Sequence, residues 1–404
     1  MTDRLDPQPW MTTAPTAAVI AALEAAGGPG CARFVGGCVR DALLGRVIAD
    51  IDIATPLTPP AVVAALQAAG LGAVPTGIEH GTVTAIADHL PFEITTLRRD
   101  VETDGRRAVV AFTTDWAEDA ARRDFRLNAL YLDLEGRLYE PVGGGVEDAH
   151  AGRIIFVGDP ETRIREDYLR ILRFFRFSAW YGRGEPDAAA LTACAALRDG
   201  VGGLSGERLA KELLKLLAAP DPRAAMRLMA KSGVLALVLS VPLRIDRFEA
   251  MVPQAEDRVL RLSALLPDDP EAVRQVATRL RLGNDMRDRL VAAASEPRLD
   301  PPLTDAQVRA AVYRLGKLGA LDRVMKRGAE NPGAAADLAR TLEVITAWEA
   351  PRFPLTGGDV MAMGVEAGPE VGSWLARLEA WWIERDFAPD RAALVAELQA
   401  QWPL

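Results

Sequence analysis

The stretch Gly36–Thr55 constrains this chain more than any other part of its sequence. It reads GGCVRDALLGRVIADIDIAT, so that a glycine pair is followed by 12 residues and then by Asp50 and Asp52. Side chains two residues apart on a strand point to the same side of a sheet, which leaves Ile51 and Ile53 to face the core. Two neighbouring carboxylates near a glycine turn with unpaired backbone N–H groups suit a divalent cation that carries a triphosphate. The pattern therefore favours nucleotidyl transfer.

The conspicuous residues of this stretch each have a role in such a reaction. We expect Gly37 to let backbone amides approach the triphosphate and Arg40 to neutralise part of its charge. Asp50 and Asp52 would hold two Mg²⁺ ions, one lowering the pKa of an attacking 3′-hydroxyl and the other stabilising the departing pyrophosphate. The alternative is a turn followed by a surface strand whose aspartates are merely solvated. The glycine pair, Arg40 and the two aspartates together disfavour that alternative.

A second group of polar residues lies in the segment RRDFRLNAL, which runs from Arg122 to Leu130. An aspartate beside arginines can accept hydrogen bonds from ribose hydroxyls while the arginines meet phosphate. Arg123 and Asp124 are the candidates for these contacts. A salt-bridged helix start explains the same residues and, for this segment taken alone, is the simpler interpretation.

A third group lies where apolar residues at helical spacing predict one helix over Arg163–Gly182. On such a helix Asp167 and Arg170 share a face. Cytosine and adenine present an amino donor beside a ring-nitrogen acceptor, which an aspartate and an arginine would match, whereas guanine and uracil present the reverse. Asp167 and Arg170 could therefore select C and A without a nucleic-acid template. A solvated ion pair between them is the alternative.

Composition sets the limits within which these motifs operate. The 404 residues suggest two or three domains. The net charge of −9 excludes a globally basic nucleic-acid binder, so any RNA-binding charge must be local, as in the segment 163–183 with its six arginines. No apolar run approaches the roughly 20 residues of a membrane span, and the N-terminus lacks the form of a signal peptide. We expect a cytoplasmic enzyme.

The order of elements predicts the fold class. The first 150 residues alternate between strand and helix signals, and from about Thr162 onward the pattern is helical. We therefore predict an α+β fold, with a mixed or antiparallel sheet and its helices first and an all-α remainder after it. The polar stretch Val101–Arg107 between two predicted strands is expected to be a mobile loop.

Taken together, these segments resemble a known family. The chain is similar to the class II tRNA nucleotidyltransferases and bacterial poly(A) polymerases, a branch of the DNA polymerase beta-like nucleotidyltransferases. The matching segments occur in the family's order and span roughly residues 31–220. They are GGCVRDALLGR followed by DIDIAT, HGTVT (80–84), FEITTLRRD (92–100), RRDFRLNAL (122–130), REDYLRILRFFRF (165–177) and SGERLAKELLKLL (205–217).

The resemblance implies a role for each matched position. Two residues would bind the metal ions (Asp50, Asp52). The others would bind parts of the nucleotide: triphosphate (Gly37, Arg40), ribose (Arg123, Asp124) and base (Asp167, Arg170, supported by Arg173 and Arg176).

Two further positions need separate mention. Glu93 is a candidate third carboxylate near the metal ions, with a purely structural role as an equal alternative. Tyr168 stands where the family often has proline, and this replacement should favour a continuous helix.

The resemblance also implies the domains and partners. It predicts an extension over 1–30, a catalytic head over 31–155, an RNA-binding helical neck with the base-reading residues over 156–240, and a tRNA-binding helical body and tail over 241–404. The expected substrates are tRNA, CTP and ATP, with Mg²⁺ as the cofactor. The expected reaction is addition of CMP, CMP and AMP to the tRNA 3′ end.

Three alternatives remain within this resemblance: a poly(A) polymerase, a partial enzyme that adds only CC or only A, and an inactive RNA-binding relative. The loop predicted at Val101–Arg107 favours full CCA addition, since family members that switch from C to A carry a flexible loop at this place. The acidic net charge argues mildly against a processive enzyme acting on arbitrary RNA. The presence of both Asp50 and Asp52 argues against an inactive relative.

Overall fold

Asp52 begins the central strand of a seven-stranded sheet, and the chain forms a separate two-stranded sheet between the fifth and sixth strands of the large one, counted along the chain. The structure is a computed structural model that describes residues 4–103 and 108–401. The strands, numbered along the chain, are β1 (Arg33–Val35), β2 (Asp52–Thr55), β3 (Gly72–Gly77), β4 (Thr82–Ala87), β5 (Leu90–Thr96), β6 (Arg98–Thr103), β7 (Ala108–Phe112), β8 (Tyr131–Leu132) and β9 (Leu138–Tyr139).

The large sheet is mixed, as predicted. Its strand order is β3-β4-β5-β2-β1-β8-β9, and β6 pairs with β7 in the small sheet. Only the pairing of β2 with β5 is parallel in the described part of the large sheet; the other neighbours are antiparallel. The parallel pairing sets Asp52 beside Glu93 in register. Glu93 therefore lies next to a predicted metal ligand although the two are far apart in sequence.

The helices fall into two compact units, Met1–Ser240 and Val241–Leu404. Those of the first unit are α1 (Ala14–Gly27), α2 (Gly37–Leu43), α3 (Pro59–Ala68), α4 (Trp116–Ala121), α5 (Gly145–Ala151), α6 (Pro160–Glu166), α7 (Leu169–Tyr181), α8 (Ala188–Ala196), α9 (Gly206–Leu217), α10 (Arg223–Lys231) and α11 (Val234–Leu239).

The second unit is built from helices in its described residues. They are α12 (Ile245–Met251), α13 (Arg258–Leu265), α14 (Pro270–Arg279), α15 (Asn284–Ala294), α16 (Asp305–Gly328), α17 (Ala335–Ala347), α18 (Gly357–Met361), α19 (Pro369–Glu384) and α20 (Arg391–Gln401). The predicted fold class, α+β followed by all-α, is confirmed. Helix α16 is interrupted at Gly316, whose φ of 72° lies in the left-handed region that glycine adopts most readily. Within residues 4–103 and 108–401, no helix is long and apolar enough to cross a membrane.

The core of the first unit follows from strand alternation. Phe34, Ile53, Val83, Phe92 and Ile94 are fully buried on their strands and pack together. Helices α1 and α3 pack against this sheet. Burial of these side chains anchors β2 and β5, and with them the carboxylates that alternate with the buried positions.

The strand expected to carry both Asp50 and Asp52 begins two residues after Asp50. Strand β2 starts at Asp52, and the N–H of Glu93 donates to the carbonyl of Ile51 at 3.1 Å. Asp50 therefore lies in the loop just before the paired residues. Ile53 is fully buried and Ile51 packs against the same core, so the expected inward direction of both isoleucines is confirmed.

The prediction of a mobile loop over Val101–Arg107 is wrong for its first residues. Strand β6 continues to Thr103, and Glu102 and Thr103 pair with Val109 and Ala108 of β7. Strand β7, which contains β-branched residues, pairs with these polar residues through the backbone. The polar composition of the segment does not predict that pairing. The rest of the predicted loop, residues 104–107, lies outside the described residues.

The predicted continuous helix over Arg163–Gly182 is also wrong, since it breaks between α6 and α7. Asp167 has extended backbone angles, φ −154° and ψ 105°, and its Oδ1 accepts a hydrogen bond from the N–H of Leu169 at 3.1 Å. Such a short-range side-chain bond to the backbone competes with the helical pattern. The expectation that Tyr168 would favour continuity fails. The ring of Tyr168 occupies the space that a side chain at position 200 would need, so it packs directly on Gly200. This packing holds Tyr168 in place at the break between the two helices.

Candidate active site

A cavity of about 390 Å³ opens in the first unit between the end of β1, the start of β2 and helix α7. It brings together eight of the sequence-predicted site residues. They are Gly37, Arg40, Asp50, Asp52, Arg123, Asp124, Arg173 and Arg176. Asp167, Arg170 and Glu93 are not in its lining. The lining also includes Asp41, Asn128 and Lys215, which no sequence pattern marked as site residues although all three lie within the segments that resemble the family.

Asp52, a predicted metal ligand that lines the cavity, has a raised pKa. Burial raises its pKa to about 6, with a further contribution from the carboxylate of Glu93, although Arg123 acts in the opposite direction. A carboxylate held in this way gains from a nearby divalent cation, which would neutralise the repulsion. Magnesium is commonly bound by one or two protein carboxylates and completed by substrate phosphates. The donor pair Asp50 and Asp52 fits that requirement.

Glu93 does not complete a three-residue metal site in this structure. In the described parts of the chain, 4–103 and 108–401, no three His, Cys, Asp or Glu side chains form a group that could hold a metal ion. Glu93 is exposed and stands beside Asp52 on the parallel strand. Its proximity is clear, and its role as a third ligand stays a prediction.

The glycine turn lines the same cavity as Asp50 and Asp52. Gly36 has a φ of 72°, and a Cβ there would come within 3.4 Å of the Arg123 guanidinium. Gly37 begins α2 and lines the cavity. The turn thus keeps side-chain atoms away from the place where the triphosphate is expected, and it lets Arg123 approach the backbone closely.

Arg40 is buried, and much of its hydrogen-bonding capacity is used within the protein. Its guanidinium forms a two-pronged contact with Asp41 at 3.1 and 2.9 Å and donates to Asn128 and Tyr181 at 2.6 Å each. The ring of Tyr181 also lies 4.0 Å from the guanidinium. Arg40 therefore joins α2 to the end of α7 and to the RRDFRLNAL segment. Its contact with triphosphate stays a prediction.

Arg123 is held in the cavity wall by the buried carboxylate of Asp119. Asp119 accepts from Arg123 at 3.0 Å, from Arg122 at 2.9 and 2.7 Å, and from the hydroxyl of Tyr131 at 2.7 Å. It also accepts from the backbone N–H of Arg98 at 3.3 Å. The alternative interpretation of this segment is thus partly right, because its arginines do form ion pairs. The pairs position Arg123 at the cavity.

Stability at low pH should depend on Asp119. Burial alone would raise the pKa of Asp119, but the guanidinium groups of Arg123 and Arg122 hold it at about 2, below the ordinary 3.8. A carboxyl group whose pKa is lower in the folded state stabilises the protein above about pH 4 and loses that contribution as the pH falls toward about 2. The loss amounts to about 2 kcal/mol.

We expect Asp119→Asn to lower the free energy of unfolding at pH 7 by about 3 kcal/mol, because two partly buried arginines lose their buried carboxylate partner. Between about pH 4 and pH 2 the wild type should lose about 2 kcal/mol of its free energy of unfolding as Asp119 is protonated, and the variant should not show this loss. Urea denaturation across this pH range measures both effects. Asp88→Asn, an exposed change in the β4–β5 turn, is the control and should follow the wild type. Equal slopes for Asp119→Asn and wild type would contradict the assignment.

Asp124 is buried and fully engaged by neighbouring donors. Its Oδ1 accepts from the backbone N–H of Phe125 at 2.9 Å and from the side chain of Asn128 at 3.0 Å. Its Oδ2 accepts from Arg173 Nε at 2.7 Å and from a second nitrogen of the same guanidinium. Burial would raise the pKa of Asp124, but Arg173 and Asn128 hold it at about 2. The predicted ribose ligand is therefore ionised and paired.

Helix α9 supplies the residues on the far side of α7. The buried carboxylate of Glu212 lies 2.6 Å from Arg176 Nε and 3.8 Å from Arg173 Nη1. Lys215, one turn later, lines the cavity, and its pKa is lowered by burial and by the neighbouring cations Arg176, Lys211 and Arg173. The hydrophobic periodicity of this segment predicts helix α9. It does not reveal that Glu212, a charged residue on the buried face, lies beside arginines of α7.

The structure places the base-reading candidates near one another but does not pair them. Arg170 forms an ion pair with Glu166 at 2.6 Å and donates to the carbonyl of Arg122 at 3.1 Å. Asp167 pairs with Arg208 at 2.7 Å. Their predicted common helix face and the alternative ion pair between them are both wrong, because the chain breaks at Asp167. Their role in base selection stays a prediction.

Two models of known protein families match parts of this chain. A family model described as the poly A polymerase head domain matches residues 32–155. A second model, described as a probable RNA and SrmB-binding site of polymerase A, matches residues 185–242.

Individual relatives are similar over greater lengths. CCA tRNA nucleotidyltransferase 1, mitochondrial, from Mus musculus is 32% identical over 386 residues, which cover 91% of this chain and 86% of the mouse protein. A CCA-adding enzyme from Geobacillus sp. strain WCH70 is 39% identical over 221 residues, 54% of this chain and 52% of that protein. The solved CCA-adding enzyme of Bacillus stearothermophilus in complex with CTP is 27% identical, with a TM-score of 0.74 over 96% of this chain and 98% of that one.

Proposed function

The chain belongs to the family of CCA tRNA nucleotidyltransferases, and on this premise we propose that it adds CMP, CMP and AMP in turn to the 3′ end of tRNA. CTP and ATP would be the donors, and pyrophosphate would leave. The observation that carries the proposal is the cavity lined by Asp50, Asp52 and the glycine turn, with Arg123, Asp124 and the arginines of α7 also in its lining.

We propose Asp50 and Asp52 as the metal ligands. Enzymes of this superfamily generally use divalent metals, and magnesium is the proposed ion. Two bound Mg²⁺ ions would activate the attacking 3′-hydroxyl and stabilise the charge on the leaving pyrophosphate. The neighbouring backbone at Gly37 leaves space for phosphate oxygens. Arg40 and Arg123 contribute guanidinium groups whose positions are set before substrate arrives, Arg40 by Asp41 and Asn128 and Arg123 by Asp119.

The sugar and the base would be bound on the α7 side. Asp124 is the proposed acceptor for a ribose hydroxyl, and Arg173 and Arg176 lie beside it in the cavity lining. Asp167 and Arg170 are the proposed pair that reads the base. Glu166 holds the Arg170 guanidinium in place through their ion pair, so that its direction is fixed independently of Asp167. This separate support replaces the shared helix face that the sequence predicted.

The remaining parts of the chain complete the proposal. We propose the segment 1–30 as an extension, 31–155 as the catalytic head, 156–240 as the neck and 241–404 as a body and tail that bind tRNA. We propose the cytoplasm as the compartment, supported by a composition typical of soluble globular proteins; the mouse relative is named as mitochondrial.

A test of this function uses three RNA acceptors: tRNA that ends before CCA, after the first C, and after the second C. Each is incubated with Mg²⁺ and one labelled nucleoside triphosphate at a time. We expect CTP to label the first two acceptors and ATP to label only the third. Addition of A to the first acceptor would indicate a poly(A) polymerase, addition at only one of the stages would indicate a partial enzyme, and no addition would indicate an inactive relative.

A further inference from the structure

Arg173 lies between two buried carboxylates that belong to different parts of the first unit. Its Nε donates to Asp124 Oδ2 at 2.7 Å, while its Nη1 lies 3.8 Å from Glu212 Oε1. Asp124 belongs to the RRDFRLNAL segment and Glu212 to helix α9. The Arg173 side chain is about one-third exposed, whereas both carboxylates are almost completely buried. The arginine is thus the most solvent-accessible member of the group and has both carboxylates beside it.

Asp124 has no acceptor site left for a ribose hydroxyl while Arg173 occupies it. A carboxylate has about four acceptor positions. Phe125 N–H and the Asn128 amide occupy Oδ1, and two nitrogens of Arg173 occupy Oδ2. The bonds to Phe125 and Asn128 come from the same segment and are part of its fold. A ribose hydroxyl that donates to Asp124 must therefore displace Arg173.

Glu212 is placed to receive the displaced guanidinium. Its Oε2 is close to Arg176, whereas its Oε1 has Arg173 at 3.8 Å, beyond hydrogen-bond distance. A movement of about 1 Å would turn this contact into a hydrogen-bonded ion pair. Separating a buried carboxylate from its arginine is costly, but exchange between two carboxylates keeps the arginine paired throughout.

We propose that Arg173 exchanges Asp124 for Glu212 when a ribonucleotide binds, so that Glu212 is a positioning residue that sets the preference for ribonucleotides over 2′-deoxyribonucleotides. The inference rests on the proposed function, with Asp124 as the ribose acceptor. A 2′-hydroxyl occupies the place that Arg173 vacates. A 2′-deoxynucleotide has no group at that place and leaves Arg173 on Asp124. The energetic benefit of the 2′-hydroxyl then depends on how well Glu212 accepts the arginine.

The test compares CTP with 2′-deoxy-CTP as donors for tRNA that lacks CCA, by the ratio of their kcat/KM values. In Glu212→Gln the neutral amide accepts the guanidinium less well than a carboxylate does. We expect the ratio to fall roughly tenfold, the scale of one hydrogen bond to a charged group, through loss of CTP efficiency with little change for 2′-deoxy-CTP. Asp148→Asn is the matched control, because it removes another buried carboxylate that pairs with Arg126 and Arg153 away from the cavity. It should lower both efficiencies equally.

Further variants keep the test decisive. In Asp124→Asn the ratio should already be low, and adding Glu212→Gln should not lower it again. If Glu212→Gln does not fold, Glu212→Asp serves instead, since its shorter side chain holds the carboxylate farther from Arg173, and the ratio should fall likewise. If the wild type adds CMP and Glu212→Gln leaves the ratio of kcat/KM values unchanged, the exchange is overturned. Failure of the wild type to add any CMP overturns the proposed function itself.

Discussion

Replacing Asp52 with asparagine is expected to slow the transfer of CMP and AMP alike by about 10³-fold or more. The change removes one of the two carboxylates on the metal side of the cavity, and metal-supported charge stabilisation contributes several kcal/mol to such a transition state. Asparagine keeps the size of the aspartate side chain and would relieve the repulsion from Glu93. The protein should therefore fold at least as well as the wild type while losing transfer.

The measurement is single-turnover addition of one labelled nucleotide, together with thermal denaturation of the same preparations. Asp88→Asn removes the same charge from an exposed turn position with a φ of 50°, which asparagine tolerates, and should leave the rate unchanged. Glu93→Gln in the same assay tests the third carboxylate: a loss comparable to Asp52→Asn would assign it to the metal, and a small loss would assign it a structural role. Wild-type rates in Asp52→Asn would contradict the metal-ligand assignment.

Replacing Asp167 with alanine is expected to change which nucleotide is chosen. The variant lacks the acceptor proposed for the exocyclic amino group of C and A, while Arg170 keeps its ion pair with Glu166. A well-formed pair of hydrogen bonds to a base edge discriminates by about 1–3 kcal/mol. The preference for CTP over UTP, measured as a ratio of kcat/KM values, should therefore fall by about 10- to 100-fold.

Asp159→Ala provides the matched control for this prediction. Asp159 accepts from the N–H of Thr162 at 2.8 Å at the start of α6, as Asp167 does from Leu169 just before α7. Each alanine variant thus loses a local bond at a helix start, worth about 1 kcal/mol. Only Asp167→Ala should alter base preference. An equal decrease of rate for every nucleotide in Asp167→Ala would show that the residue acts on structure and does not read the base.

Local patterns in the sequence were sufficient to predict the carboxylate pair and the order of the elements around it. Asp50 and Asp52 are close in sequence, and the alternation that buries Ile53 depends on neighbouring residues alone. The position of Glu93 beside Asp52 depends instead on the parallel pairing of β2 with β5, which joins distant segments. No local pattern specifies such a pairing.

The errors along α6 and α7 have a different physical origin. Apolar residues recur at helical spacing through the whole segment, so periodicity alone predicts one helix. The break depends on a single side-chain bond at Asp167 and on the packing of Tyr168 over Gly200, which is brought there by the tertiary fold. Tertiary contacts of this kind override helix propensity.

The partners of the site arginines could not be read from the sequence for a similar reason. Asp119 and Glu212 lie on helices whose charged residues are unremarkable in sequence, and both become significant only because they are buried against arginines of the cavity. A buried carboxylate must be paired, so burial reveals the connection that spacing conceals. The proposed exchange of Arg173 between Asp124 and Glu212 depends on such a buried partner.

The central claim is that the enzyme adds CCA to the 3′ end of tRNA and then stops. Sequencing the 3′ ends of the products tests this claim most directly. tRNA lacking CCA is incubated with the enzyme, Mg²⁺ and all four nucleoside triphosphates, and an unstructured RNA is treated in parallel. We predict that nearly all tRNA products end in CCA and that the unstructured RNA is scarcely extended. Runs of A on both RNAs, or products that stop after C or CC, would contradict the account.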